Sequence, residues 1–103
     1  MIAKLITGGT TNVRGAAGAT APATSGRYYG FRLGTGAFTL TVHDAIGTAA
    51  AAAANQIDYA VHVASQPTLI GNVPGAGQNQ GVGFMSGLQA VLTAAGTAVI
   101  FFE

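Results

Sequence analysis

Two histidines, three carboxylates and four cations are nearly all the ionisable chemistry this 103-residue chain holds. His43 and His62 stand near Asp44 and Asp58 in sequence. Zinc takes three or four ligands at fixed geometry, and no short spacing here supplies three, so no metal site is expected. Zero Cys removes thiolate ligands, disulfides and a thiol nucleophile. Ser25, Ser65 and Ser86 sit in no nucleophile-elbow motif, and a serine nucleophile needs a base and a group to orient it. Paired carboxylates for acid–base work would have to come from Asp44, Asp58 and Glu103. The chain is therefore expected not to be an enzyme and to use no cofactor.

Two further patterns stand out. The run GAGQNQG, residues 75–81, superficially matches a phosphate loop. Such a loop needs a helix directly after it, whose amides hold the phosphate. The next residues are VGFMSGL, a Gly-broken and strand-like run, and no Lys is at hand. Arg27-Tyr28-Tyr29 with Arg32 forms the only basic–aromatic cluster. It could stack on a sugar or a base. The plainer reading is an edge strand with one aromatic inward and one at a subunit contact, where Tyr supplies large area at low entropy cost. The histidines fall on the polar faces of apolar strands and are expected to point outward. The expected partner contacts are Arg14, Arg27, Tyr28, Tyr29, Arg32 and His62.

Charge position matters more than the net +1. Lys4, Arg14, Arg27 and Arg32 all lie in the first 32 residues, and all three acids lie after them. This asymmetry suggests a basic segment that meets an acidic partner, or a head-to-tail contact between copies. Four dispersed cations neutralise at most about four phosphates, so no nucleic-acid partner is expected. No apolar run approaches the roughly 18 residues of a membrane span, so no membrane partner is expected either. Charged residues are 7% of the chain, against roughly 25% in an ordinary domain. A small domain with so few charges leaves apolar surface outside, and such surface usually ends against another protein.

The elements that position these residues are strands. Residues 1–7 allow a short strand. Residues 8–26 hold one large apolar side chain, Val13, and predict an extended arm that becomes ordered on a neighbour. The expected division is an N-terminal arm over 1–26 and a body over 27–103. In the body, Tyr29, Phe31 and Leu33 alternate with Tyr28, Gly30 and Arg32, and Phe38, Leu40 and Val42 with Thr39, Thr41 and His43. Gly34-Thr35-Gly36 between them predicts a hairpin. Six Ala at 49–54 predict a connection with a helical turn. Ile57, Tyr59, Val61 and Val63 alternate with Asp58, Ala60 and His62 in the cleanest strand pattern, which Pro67 ends. Residues 71–81 predict a loop. Short runs come after it at 82–86, 88–93 and 97–103, the last two joined by a predicted Ala94-Ala95-Gly96 hairpin. In the final run Ala98, Ile100 and Phe102 share one face and Val99 and Phe101 the other; both are apolar, so this strand is expected to be covered on both sides. Six to eight short strands predict an all-β fold, a small antiparallel β-sandwich or jelly-roll-like domain with an extended N-terminal arm.

Two stretches carry a resemblance: GFRLGTGAFTLTVHDAIGTAA, residues 30–50, and GFMSGLQAVLTAAGTAVIFFE, residues 83–103. The first has a strand, a Gly turn, a Thr-rich strand and a closing Asp-x-x-Gly. The second has an aromatic before Gly-Leu, a strand, a Gly turn and a terminal strand ending in aromatics and Glu. From Gly30 onward the chain resembles the small β-sandwich capsid decoration, or cement, proteins of tailed bacteriophages. The Ala run and the 71–81 loop depart from a short compact version of that pattern. The resemblance implies a virion protein on the outer capsid surface, commonly a homotrimer at three-fold positions. It would bind the major capsid protein and bridge neighbouring subunits against genome pressure, without ligand or cofactor. The opening MIAKLIT is too short an apolar stretch for a secretory signal, which favours assembly in the host bacterial cytoplasm. The alternatives are a tail or head–tail junction protein, and a glycan-binding module built on the Arg-Tyr-Tyr cluster.

Overall fold

A computed structural model describes residues 2–15, 23–45, 53–71 and 81–103. Residues 16–22, most of the Ala run and residues 72–80 of the expected loop lie outside the described residues. The elements are β1 (Ile2–Ile6), β2 (Gly9–Arg14), β3 (Gly26–Leu33), β4 (Phe38–His43), a 3-10 turn (Ala53–Asn55), β5 (Gln56–His62), β6 (Leu69–Gly71), β7 (Val82–Phe84), β8 (Leu88–Leu92) and β9 (Ala98–Phe102). They form two antiparallel sheets. Sheet A runs β1-β9-β3-β6, with β7 also on β3, and sheet B runs β2-β8-β4-β5. Strands β6 and β7 pair with the two ends of β3, at Phe31–Leu33 and Gly26–Tyr28, and act as one interrupted strand. Counted so, the chain is a long antiparallel ribbon, pairing first with last and inward to β4 with β5, rolled into two layers. That is the winding of a jelly roll.

The inner face matches the alternation in β4, and β9 turns Ala98, Ile100 and Phe102 inward with Val99 and Phe101 half-buried on its other face. Phe38, Leu40 and Val42 face Ala98, Ile100 and Phe102 in one core cluster, joined by Leu33, Phe84, Leu88 and Leu92. Leu33, Leu40, Val42, Leu88 and Ile100 have no exposed surface. Burying such a side chain stabilises the fold by roughly 1.5–3 kcal/mol each.

Four expectations are corrected. First, residues 2–14 are not an arm. β1 lies on β9 and β2 on β8, one in each sheet, and Ile6 and Val13 join the core. A segment poor in large side chains still forms edge strands, because its neighbours supply the ladder. Second, Gly34-Thr35-Gly36 and Ala94-Ala95-Gly96 are not hairpins: each carries the chain from one sheet to the other. The two crossings lock together. Gly34 N–H donates to Thr97 O (2.8 Å) and Thr97 N–H to Thr35 O (2.9 Å). Gly36 has φ +102°, and a Cβ there would meet Ala95 O at 2.7 Å. Both conformation and space therefore demand glycine.

Third, β5 presents the opposite face. Ala60 and His62 are buried, while Tyr59, Val61 and Val63 are 58%, 47% and 50% exposed. The pairs Leu40↔Ala60 and Phe38↔His62 set this phase. A one-residue slip would reverse every side chain, and polar partners for Asp58 and His62 inside the sandwich favour the observed register. Fourth, His43 lies on the outer side of sheet B, opposite Gln89, yet is only 4% exposed. Its Nδ1 is 2.9 Å from Asn55 Oδ1 and its Nε2 is 2.9 Å from Thr41 Oγ1.

Candidate interaction surface

The basic–aromatic cluster is split by a β-bulge. The pairing of β3 with β9 shifts register between Tyr28 and Gly30, and Gly30 has φ +136°. One extra residue at this point turns Tyr28 inward and leaves Tyr29 outward, while Phe31 and Leu33 keep their inward phase. Tyr28 is 2% exposed. Its hydroxyl crosses the sandwich and donates to Asp58 Oδ2 at 2.6 Å. Burial, and then the Asp58 carboxylate, push its phenol far above the usual tyrosine range. Tyr28 is thus a strut between the sheets and not a partner contact.

Tyr29 donates to Glu103 Oε2 at 2.5 Å. This hydrogen bond is the main cause of an upward shift of its phenol, which the Arg27 charge opposes. Around this pair opens a groove of about 620 Å³, lined by Arg14, Arg27, Tyr29, Phe84, Met85 and Glu103 among others. It receives side chains from both sheets. Arg14 reaches it from β2, where a register shift between Asn12 and Arg14 puts Val13 in the core. One wall is held in place by Asp44, whose carboxylate accepts the backbone N–H groups of Met85 (3.0 Å) and Ser86 (2.8 Å).

Arg32 lies elsewhere. Five residues along β3 from Arg27, it is roughly 16 Å away. It sits on the outer face of sheet A in a cross-strand row with Leu5, Val99 and Ile70. Leu5 and Ile70 are each 60% exposed.

His62, expected at a partner contact, is 1% exposed. Its Nδ1 is 2.7 Å from Gly36 O and its Nε2 is 3.2 Å from Pro67 O, and its ring stacks on Phe38 with centroids 5.6 Å apart. It ties two inter-strand connections together and is structural. The structure therefore brings Arg14, Arg27 and Tyr29 together, leaves Arg32 on the same sheet but apart, and withdraws Tyr28 and His62. Glu103 and Met85 complete the groove. No sequence signal singles them out, because they are 74 and 56 residues from Tyr29 along the chain.

The outer face of sheet B differs. Its cross-strand rows are Thr10, Val91, Thr41 and Tyr59, then Thr39 and Val61, with Asn12, Gln89 and His43 beside them. None of these is Asp, Glu, Lys or Arg. Among the described residues, no group of three or more His, Asp or Glu is placed to hold a metal ion. This arrangement suits contact chemistry: a cationic, aromatic groove and row on one side, and a neutral face edged with apolar side chains on the other. Comparison with protein families, with curated proteins and with solved structures finds no match to this chain.

Proposed function

We propose that this chain is a structural virion protein that binds the outside of a phage capsid and cements neighbouring capsid subunits. Its partners are the major capsid protein and further copies of itself in a homotrimer, and it acts without catalysis or cofactor. Its place is the outer capsid surface of a virion assembled in the host bacterial cytoplasm. One observation carries the reading: the edge strand β5 holds Tyr59 and Val61 about half exposed on an uncharged sheet face, with Val63, equally exposed, just past its end. The pairing of β5 shifts register at its start, beside Ile57, but the regular stretch from Tyr59 to His62 carries no charge, Pro or bulge, the devices that usually guard an edge strand that stays alone, and an apolar patch of this kind marks a protein contact. The resemblance of residues 30–50 and 83–103 to cement proteins supports the same reading. The contacts expected from an N-terminal arm pass to the two sheet faces, since residues 2–14 are used inside the fold.

Capsids of its own phage that lack this protein provide the test. The purified chain is expected to sediment with them and to saturate. Val61→Lys places a charge on an exposed position and is expected to weaken retention by at least about tenfold, with the thermal midpoint unchanged. No sedimentation of the native chain, or equal retention of the variant, would contradict the reading. A glycan-binding module has one observation in its favour, the outward Tyr29 beside Arg27 in the groove. With Tyr28 buried, that platform is reduced to one ring, and binding on a glycan array that Tyr29→Ala removes would favour it.

A further inference from the structure

We propose that the groove between Arg14, Arg27, Tyr29 and Met85 receives an acidic segment of a different polypeptide, with a carboxylate set against the Arg14 guanidinium. Two observations point to an anion. Two arginines and one acid line the groove, leaving it net positive. Arg14 Nε is buried with no hydrogen-bond partner among the described residues. A buried donor on a charged group is costly to leave unmet, and a carboxylate satisfies a guanidinium fork in bidentate fashion.

The chain's own acids argue against a second copy as the donor. Asp44 is held by the amides of Met85 and Ser86. Asp58 accepts from the Tyr28 hydroxyl and the Tyr59 N–H. Glu103 accepts from Tyr29. These are all the acidic side chains in the sequence. Asp44 and Asp58 are engaged inside the fold, and Glu103 lies in its own copy's groove beside Arg14 and Arg27, so a copy could offer it only by bringing a second cationic groove against the first; the head-to-tail contact suggested by the charge asymmetry is therefore disfavoured.

The shape argues against a small inorganic anion. The groove, about 620 Å³, also has an apolar wall in Met85, which is 76% exposed. This lining suits a carboxylate with an apolar side chain beside it, as in an extended acidic peptide. That the donor is a shell subunit rests on the virion reading; the groove's chemistry does not.

The test uses the full chain and a synthetic Glu-Leu-Glu-Leu peptide, with Gln-Leu-Gln-Leu as the neutral control. Titration followed by NMR is expected to move the Arg14 and Arg27 side-chain N–H signals and Tyr29. The affinity is expected to fall with added salt and to drop at least about tenfold in the Arg14→Gln, Arg27→Gln double variant. Arg32→Gln, outside the groove, is expected to bind as the native chain does. No binding at low salt, equal binding of the neutral peptide, or full displacement by equimolar inorganic phosphate overturns the proposal. Capsid sedimentation separates the two readings. Peptide binding without capsid binding leaves the groove standing and removes the shell as donor. Capsid binding that the double variant retains in full overturns the groove as a shell contact and leaves the virion reading intact.

Discussion

His62→Ala is expected to destabilise the fold by about 3–4 kcal/mol and to lower the thermal midpoint by roughly 15 °C. Small domains are stable by only about 5–15 kcal/mol in all, so this is a large fraction. The ring is 1% exposed and stacked on Phe38. Its removal leaves a cavity and takes away the ring N–H that a carbonyl accepts, Gly36 O lying 2.7 Å and Pro67 O 3.2 Å from its two nitrogens. Those carbonyls belong to the connections after β3 and after β5, so their loss loosens one whole end of the sandwich. His62→Phe keeps the stack and loses the ring nitrogens, and is expected to fall between native and His62→Ala. Val63→Ala, next in the chain and half exposed, is expected to change stability by less than about 0.5 kcal/mol. Urea denaturation followed by circular dichroism measures all three. Equal losses at 62 and 63 would mean that His62 faces water, as the simple alternation of β5 implies.

Alkaline pH is expected to produce the second large effect, through Tyr28. In the unfolded chain this phenol loses its proton near the ordinary value of 10.0, while in the fold burial and Asp58 hold the proton on. Below pH 10 both states are neutral, and the stabilisation is fully present. Above it the unfolded state binds fewer protons than the native state, so stability falls as pH rises. The slope from this one group is about 1.4 kcal/mol per pH unit, or about 2–3 kcal/mol between pH 10 and pH 12. Tyr28→Phe is expected to remove that slope. It also costs about 1.5–3 kcal/mol near neutral pH, because Asp58 loses a charge-assisted donor. Denaturation curves of the two proteins across that pH range measure the difference. Parallel curves would show that the phenol is not buried against Asp58.

These residues also mark where the sequence can be read and where it cannot. In β4 the apolar alternation predicts the observed inner face, because it is a central strand with large apolar side chains on one side only; in β9 Val99 and Phe101 make the second face apolar too, and the alternation alone does not say which face is inner. In β5 an equally clean alternation points the wrong way. Asp58 and His62 are stabilised by groups contributed from outside their own strand, and the partner of Asp58 is 30 residues away. No local period carries that information. The β3 bulge is similar: Gly30 permits the positive φ, but the strand against which β3 bulges is β9, at the far end of the chain. The Gly-containing turns at 34–36 and 94–96 carry hairpin chemistry, yet their mutual hydrogen bonds make them crossings. The groove is half legible. Arg14, Arg27 and Tyr29 are expected contacts, but their convergence depends on β2 and β3 closing the same end from different sheets.

Quantitative mass spectrometry of purified virions, scaled to the major capsid protein, tests the central claim most directly. A cement protein is expected in fixed proportion to that protein, with one set of copies for each repeating position of the shell. A low copy number set by a ring would place the chain at the tail or the head–tail junction, and its absence from particles would remove it from the virion.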